Sequence, residues 1–369
     1  MSRAPIDYAS AGVDYHRIDA LKIRAQQAAR ATSRHLAARG LQELERSRGE
    51  SAYVIDVGGL LIATVTECLG TKALVADAVR ALSGRTHYDT IAQDTIAMAV
   101  NDLVTVGATP LSVQAYWAAG SSDWFSDAER MEDLVRGWQG ACDACQVAWG
   151  GGETPALNGV IEPGCVDLAA ACFGTVPTRE RLMLGERLGA GDRIILIASS
   201  GIHANGVSLA RKLAERLPRG YGTRIDDGRS FGEALLDPTV LYAPVMQAVW
   251  AAGITPHYGV HVTGHGWRKI MRHPARLTYR IAQLPPLPAV LEFLRRELAL
   301  DPHQAYGTLN MGAGFALFVA PDDAEATVRA ARGAGVAAWI AGAVEPGPRR
   351  VVIDSLGIAY ESDELQLRA

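Results

Sequence analysis

No apolar run in the 369-residue chain approaches the roughly 18 consecutive residues that a membrane-crossing helix requires. The opening MSRAPIDYASAGVDYHRID lacks the apolar centre of a secretory signal. No membrane partner is therefore expected, and the chain is read as cytoplasmic. Charge of one sign is equally scarce: 36 basic against 40 acidic residues leave a formal net charge of -4, which provides no whole-chain field for nucleic acid. Cysteine is limited to Cys68, Cys142, Cys145, Cys165 and Cys172, an odd number read as reduced thiols. Cys142-Asp-Ala-Cys145 is followed by no second CxxC and no HxxxH, and it sits in a helical pattern, so structural thiols are expected there rather than zinc. No internal repeat period is evident.

What is present is an ordinary globular composition, 49% hydrophobic, in a chain long enough for two domains with a sizeable core. A basic helical pattern spans about Arg17 to Leu36. Two β-rich runs, 52–56 and 60–65, flank Gly58-Gly59. Further strands are read at 111–117, 166–174, 193–198, 315–319, 337–344 and 351–354, and helices near 128–147, 207–217, 238–252, 290–298 and 322–332. Strands alternating with helices define an α/β chain. The boundary is placed at the charged turn after the apolar run Val166–Gly174, which divides the chain into residues 1–176 and 177–369.

Polar residues with chemical potential cluster in HYDTIAQDTIAMAVNDLVTVGATP, from His87 to Pro110. At about 100° per residue, Asn101 lies about 20° around the helix from Asp94, and Asp102 about 80°. Three metal-competent side chains thus share a flank among Ile91, Ile96, Met98, Val100 and Leu103, where an uncompensated carboxylate is costly. Capping by Asp94 and solvation of Asp102 form the alternative reading. Before this helix, Thr66-Glu67-Cys68-Leu69-Gly70-Thr71-Lys72 ends a strand and leads into a helix, a layout suited to phosphate although it is no Walker A motif. After it, Gly150-Gly151-Gly152-Glu153-Thr154 can converge backbone N–H groups on an anion, with Glu153 beside an accompanying metal, or form a tight turn. Ser199-Ser200-Gly201-Ile202-His203-Ala204-Asn205-Gly206 again aims a small-residue loop at a helix start. His257, His261, Thr263 and His265 gather around glycines, but not on one helix face, so helical i,i+4 metal ligation is not expected.

In one collinear order, TECLGTK, the His87–Pro110 stretch, GGGET, SSGIHANGVSLARK, HVTGHG and TLNMGAG, after a Tyr8 and Ala11-Gly12-Val13-Asp14 start, make the chain resemble the aminoimidazole ribonucleotide synthetase family, the purine-pathway cyclo-ligases. The resemblance implies the two-domain α/β fold of that superfamily: residues 1–176 bind ATP and form a homodimer through their sheet, and residues 177–369 form a second α/β domain. It implies ATP and Mg²⁺ as cofactors and a small-molecule substrate. Glu67, Asp94, Asp102 and Glu153 would hold the metal, and Glu67, Gly70, Thr71, Lys72, Asn101, Gly151, Gly152 and Glu153 the nucleotide. Ser200, His203, Asn205, Thr263, His265 and Asn310 would bind substrate, with Asp94, Lys72 and His261 catalytic. In the family reaction ATP phosphorylates a formyl-amide oxygen, and an amidine nitrogen then closes the imidazole ring with loss of phosphate.

The chain departs from the family pattern at identifiable places. TDGVGTK reads TECLGTK, with Glu67 for Asp and Cys68 for Gly; a glycine-rich loop upstream has no counterpart between Ala37 and Asp56; GGETAEMPG reads GGETPALNG; HLTGGG reads HVTGHG through His265; and Gly307 stands for the arginine of YRTFN. The nucleotide half is closer to the pattern than the substrate half. Three functions stay open from sequence: the cyclo-ligase, a paralogue that phosphorylates another amide, carbonyl or acid, and a catalytically silent nucleotide-binding protein.

Overall fold

The computed structural model describes residue 12 and residues 15–367; Tyr8 and most of the Ala11–Asp14 motif lie outside the described residues. Two sheets form the framework. The first contains β1 (Gln42–Glu43), β2 (Tyr53–Val57), β3 (Leu60–Cys68), β4 (Thr109–Ala119), β5 (Ala148–Glu153) and β6 (Val166–Val176), in the order β1-β2-β3-β6-β4-β5. All neighbours are antiparallel except β4 and β5. The second contains β7 (Arg193–Ala198), β8 (Tyr258–His261), β9 (Leu277–Ile281), β10 (Ala313–Val319), β11 (Ala338–Pro346), β12 (Arg350–Ile353) and β13 (Ile358–Glu361), in the order β13-β12-β9-β11-β7-β10-β8. The α/β architecture expected from the sequence is present.

Burial differs between the sheets for reasons visible in their strands. The strand β10, AGFALFV, flanked by β7 and the edge strand β8, is buried at every position, as a near-continuous apolar run requires when both faces are covered. In the first sheet β6 alternates buried and accessible positions, so one face packs inward and the other is open. Leu111 and Phe173 are exposed on β4 and β6, and Phe173 pairs across from Thr64.

The inward face is covered by the helix Tyr88–Val104, of which every residue except Asp89, Thr90 and Gln93 is buried. This helix packs on β3, β4 and β6 and also reaches β8 and the helix Ala243–Ala251. It therefore belongs to the interface between the two sheets as much as to the first core. Helix Ala128–Cys145 packs beside it; Cys142 and Cys145 are buried free thiols, pushed above the ordinary thiol range by burial.

Three local readings are corrected. Gly150, Gly151 and Gly152 do not form a turn: they lie inside the edge strand β5, where a Cβ on Gly152 would sit 2.1 Å from the Ala115 carbonyl oxygen. The close approach of two backbones explains the glycine. The helix expected from residue 238 begins at Ala243, with Pro244 in its first turn, because residues 237–242 bond their backbone to side chains of another helix. The short strands β1, β9 and β13 carry too little alternation to stand out in sequence.

Candidate active site at the junction of the two sheets

The buried helix meets the second sheet through polar side chains that all have partners. Asp94 lies mid-helix, far from the N-cap at His87, which removes the capping reading. Its Oδ2 is 2.6 Å from Lys72 Nζ, both side chains being fully buried, and its Oδ1 accepts the Thr239 N–H at 2.6 Å. Lys72 Nζ also donates to the Asp237 carbonyl at 3.0 Å. Burial pushes the Asp94 carboxyl up against the pull of Lys72 and Thr239. About two turns further on, Asn101 donates to the Val240 carbonyl (2.8 Å) and accepts from the Tyr242 N–H (2.8 Å), and Gln93 donates to the Thr239 carbonyl (2.9 Å). Residues 237–242 are thus laid along the helix like a strand whose ladder partners are side chains. Lys72, Asp94 and Asn101 are occupied in holding this strap.

The other carboxylates have a different environment. Asp102 is buried, not solvated, and its Oδ1 is 2.7 Å from Nδ1 of His261 at the end of β8. Although burial opposes it, the hydrogen bond from His261 and the charge of Lys269 hold the Asp102 carboxyl below its usual range. Glu67, from the end of β3, lies against Asp102; burial first, then the Asp102 charge, raises its pKa to about 8. Lys269 Nζ donates to Thr263 Oγ1 at 2.6 Å, and burial lowers its pKa to about 8 against the attraction of Asp102. Glu67, Asp102, His261, Thr263 and Lys269 form one corner between the sheets.

His203 stands beside this corner with a left-handed backbone, φ 60°. Its Nε2 accepts the Ser200 N–H at 3.2 Å, which places the ring proton on Nδ1; that buried atom has no hydrogen-bond partner among the described residues. Burial, the neighbouring His261 and Lys72 hold the ring neutral, far below its ordinary pKa. The remaining expected substrate residues are largely committed: Ser200 Oγ donates to the Pro238 carbonyl, Asn205 faces Met98 Sδ at 3.7 Å, and Asn310 bridges Ser199, Gly201 and Gly312. His265 Nε2 is 3.0 Å from Asp19 on the N-terminal helix.

Gly70 takes φ 77° and Thr71 caps the helix Lys72–Ser83 without a side-chain bond, so the first N–H groups of that helix are free of a side-chain cap, as an anion site needs. Glu153, Gly151 and Gly152 are exposed on the sheet edge, apart from the Glu67 corner. Among the described residues no three His, Cys, Asp or Glu side chains converge to hold a metal unaided. Glu67 and Asp102 nonetheless offer adjacent hard oxygens, and Mg²⁺ commonly takes one or two carboxylates with phosphate and water completing the shell. Asp94, saturated by Lys72 and Thr239, does not fit as a ligand in this geometry. Lys269 and the 237–242 strap escaped sequence reading; a lysine inside GWRKIM carries no local signal of burial.

Residues 49–176 match the sequence profile of the AIR synthase related protein, N-terminal domain, and residues 189–355 that of its C-terminal domain. A phosphoribosylformylglycinamidine cyclo-ligase of Nitrosococcus oceani is 34% identical over 356 residues, covering 94% of this chain and 93% of the relative. One from Anaeromyxobacter dehalogenans is 38% identical over 286 residues, 76% of this chain and 79% of its own. Among solved structures, AaThiL complexed with AMPPCP and TMP superposes with TM-score 0.57 at 14% identity, over 85% of this chain and 90% of that one.

Proposed function

Since the chain belongs to the AIR synthase related family, we propose that it is an ATP- and Mg²⁺-dependent cyclo-ligase converting formylglycinamidine ribonucleotide to aminoimidazole ribonucleotide. The observation that carries this reading is the 34% identity with a named cyclo-ligase across nearly the whole of both chains. The AMPPCP complex of a structural neighbour supports nucleotide as the phosphoryl donor.

In this reading the Gly70-Thr71 turn and the N–H groups opening the helix Lys72–Ser83 receive phosphate oxygens. Lys72 acts from behind the turn: its ammonium is held by Asp94 and fixes the shape of the loop and the strap. Mg²⁺, held by Glu67 and Asp102, would offset charge developing on the transferred phosphoryl group. His261, with Nδ1–H given to Asp102, keeps Nε2 as the basic nitrogen. That nitrogen takes the proton lost when the amidine nitrogen attacks the activated carbon and phosphate departs. Glu153 is assigned to the outer edge of the nucleotide site.

The open face of the first sheet, with Leu111 and Phe173 exposed, supports a homodimer formed through that sheet. A second reading, a paralogue acting on another amide or acid, is favoured by the committed hydrogen bonds of Ser200, Thr263 and Asn310 and by Gly307, packed 3.1 Å (as a hypothetical Cβ) from Tyr360. Incubation with ATP, Mg²⁺ and formylglycinamidine ribonucleotide separates the readings. ADP release with ¹⁸O passing from substrate to phosphate is expected; ADP release only with a different amide or acid would select the paralogue, and no turnover with any of them a silent nucleotide-binding protein.

A further inference from the structure

The N-terminal helix Tyr15–Thr32 is held in an unusual way. None of its residues from 18 to 32 is buried, and Ile18 and Leu21 are exposed, Leu21 at 68%. Among residues 18–32 only Asp19, Ile23 and Gln26 are half-buried, a single stripe at helical spacing. Its contacts are polar. Asp19 Oδ2 meets His265 Nε2 at 3.0 Å across 246 residues, Gln26 donates to the Leu367 carbonyl at 2.9 Å, and Arg48 reaches the Ala29 carbonyl at 3.4 Å. A helix that half-buries one apolar side chain over residues 18–32 is at the weakly held end of a structure, so individual polar contacts weigh heavily in its position.

The contact at the site end joins an acid to a histidine. His265 is 7% exposed, and its neutral ring, held below the ordinary pKa by burial, donates Nε2–H to the Asp19 carboxylate, a charge-assisted bond. It stands four residues before Lys269 and two after Thr263, so Asp19 docks onto the wall of the Glu67–Asp102 corner. One turn along, Lys22 Nζ lies 3.6 Å from Asp19 Oδ1 with about half its side chain accessible. Because Asp19 is bonded to His265 on that wall, its neighbour Lys22 is carried to the same side of the helix, with its side chain still accessible to a ligand.

We propose that the Asp19–His265 contact is a positioning device that docks the N-terminal helix over the Glu67–Asp102 corner, and that Lys22 thereby becomes a further phosphate-contacting residue of the nucleotide site. The inference rests on the nucleotide reading of that corner. Lys22 supplies a mobile positive charge from the solvent side, where the buried Lys72 and Lys269 are tied to Asp94 and Thr263.

The test uses the full chain and Mg²⁺-AMPPCP as probe, read by calorimetry, with hydrogen exchange of residues 15–32 in the ligand-free protein as a second readout. Lys22→Gln is expected to weaken AMPPCP binding about tenfold, the size of one charge-assisted contact, without changing exchange in the helix. Asp19→Asn and His265→Gly are expected to speed that exchange and to weaken binding to the same degree. The Lys22→Gln/His265→Gly double variant should bind no worse than either single one, since both remove one contact. In turnover, each should raise KM for ATP with little change in kcat. Wild-type affinity in Lys22→Gln, or unchanged exchange in both Asp19→Asn and His265→Gly, overturns the proposal. Failure of the wild-type protein to bind AMPPCP overturns the nucleotide reading and Lys22's role with it, and the exchange data then still decide whether Asp19–His265 docks the helix.

Discussion

At the scale of single residues, the junction is governed by what burial does to charge. Lys72 and Asp94 are both fully removed from water, and removing one member of such a pair leaves the other uncompensated, at a cost of about 3–5 kcal/mol. Asp94→Asn is therefore expected to lower stability in chemical denaturation by several kcal/mol in addition to any loss of turnover; an unchanged midpoint would show that the pair is not formed. His203 gives a pH dependence of definite sign. Its folded pKa lies well below the 6.5 of the free side chain, so below pH 6.5 the unfolded chain binds a proton that the folded chain refuses, and stability falls as the solution is acidified. His87, His261 and His265 are shifted in the same direction and add to this limb. His203→Asn, which tolerates the left-handed backbone, should make the acid limb shallower in urea titrations between pH 6.5 and 5.

At the scale of elements, the triple glycine shows how a motif and its structural role can separate. GGGET is conspicuous in sequence as a loop, yet the glycines are there because β5 runs close against β4, with no room for a Cβ at Gly152. Gly152→Ala should lift β5 from β4. Hydrogen exchange at residues 148–153 should then quicken while β7 and β10, in the other sheet, stay protected. Equal loss of protection in both sheets would mean that the edge strand carries the global stability. The buried helix was legible as an element because its apolar residues recur at helical spacing; that its polar residues face a strap 140 residues away was not, since no local pattern reports a partner so distant.

At the scale of the whole molecule, the strap of residues 237–242 couples the two sheets. Asn101 satisfies both Val240 and Tyr242, and Asn101→Ala strands a half-buried carbonyl and a buried N–H, the latter alone costing about 1–3 kcal/mol. Calorimetry is expected to resolve one transition for the wild type and two for this variant; a single transition at lower temperature in the variant would place the coupling elsewhere. The proposed dimer is tested at the same scale. Phe173→Asp, on the open face of β6, should yield a monomer by light scattering with its secondary structure retained, whereas an unchanged mass would move the interface away from that face.

The family, the α/β class and the order of its motifs were determined by sequence alone, because hydrophobic periodicity and collinear motifs are local or ordered along the chain. Which partners each carboxylate meets was decided only by the tertiary structure. Asp94 and Asp102 look equivalent on one helix, but Lys72 and Thr239 reach the first, while His261 and Glu67 meet the second. Desolvation makes those partners decisive: a buried carboxylate takes its character from whichever charge or N–H folding brings within about 3 Å, and that choice is made by the packing of one sheet against the other.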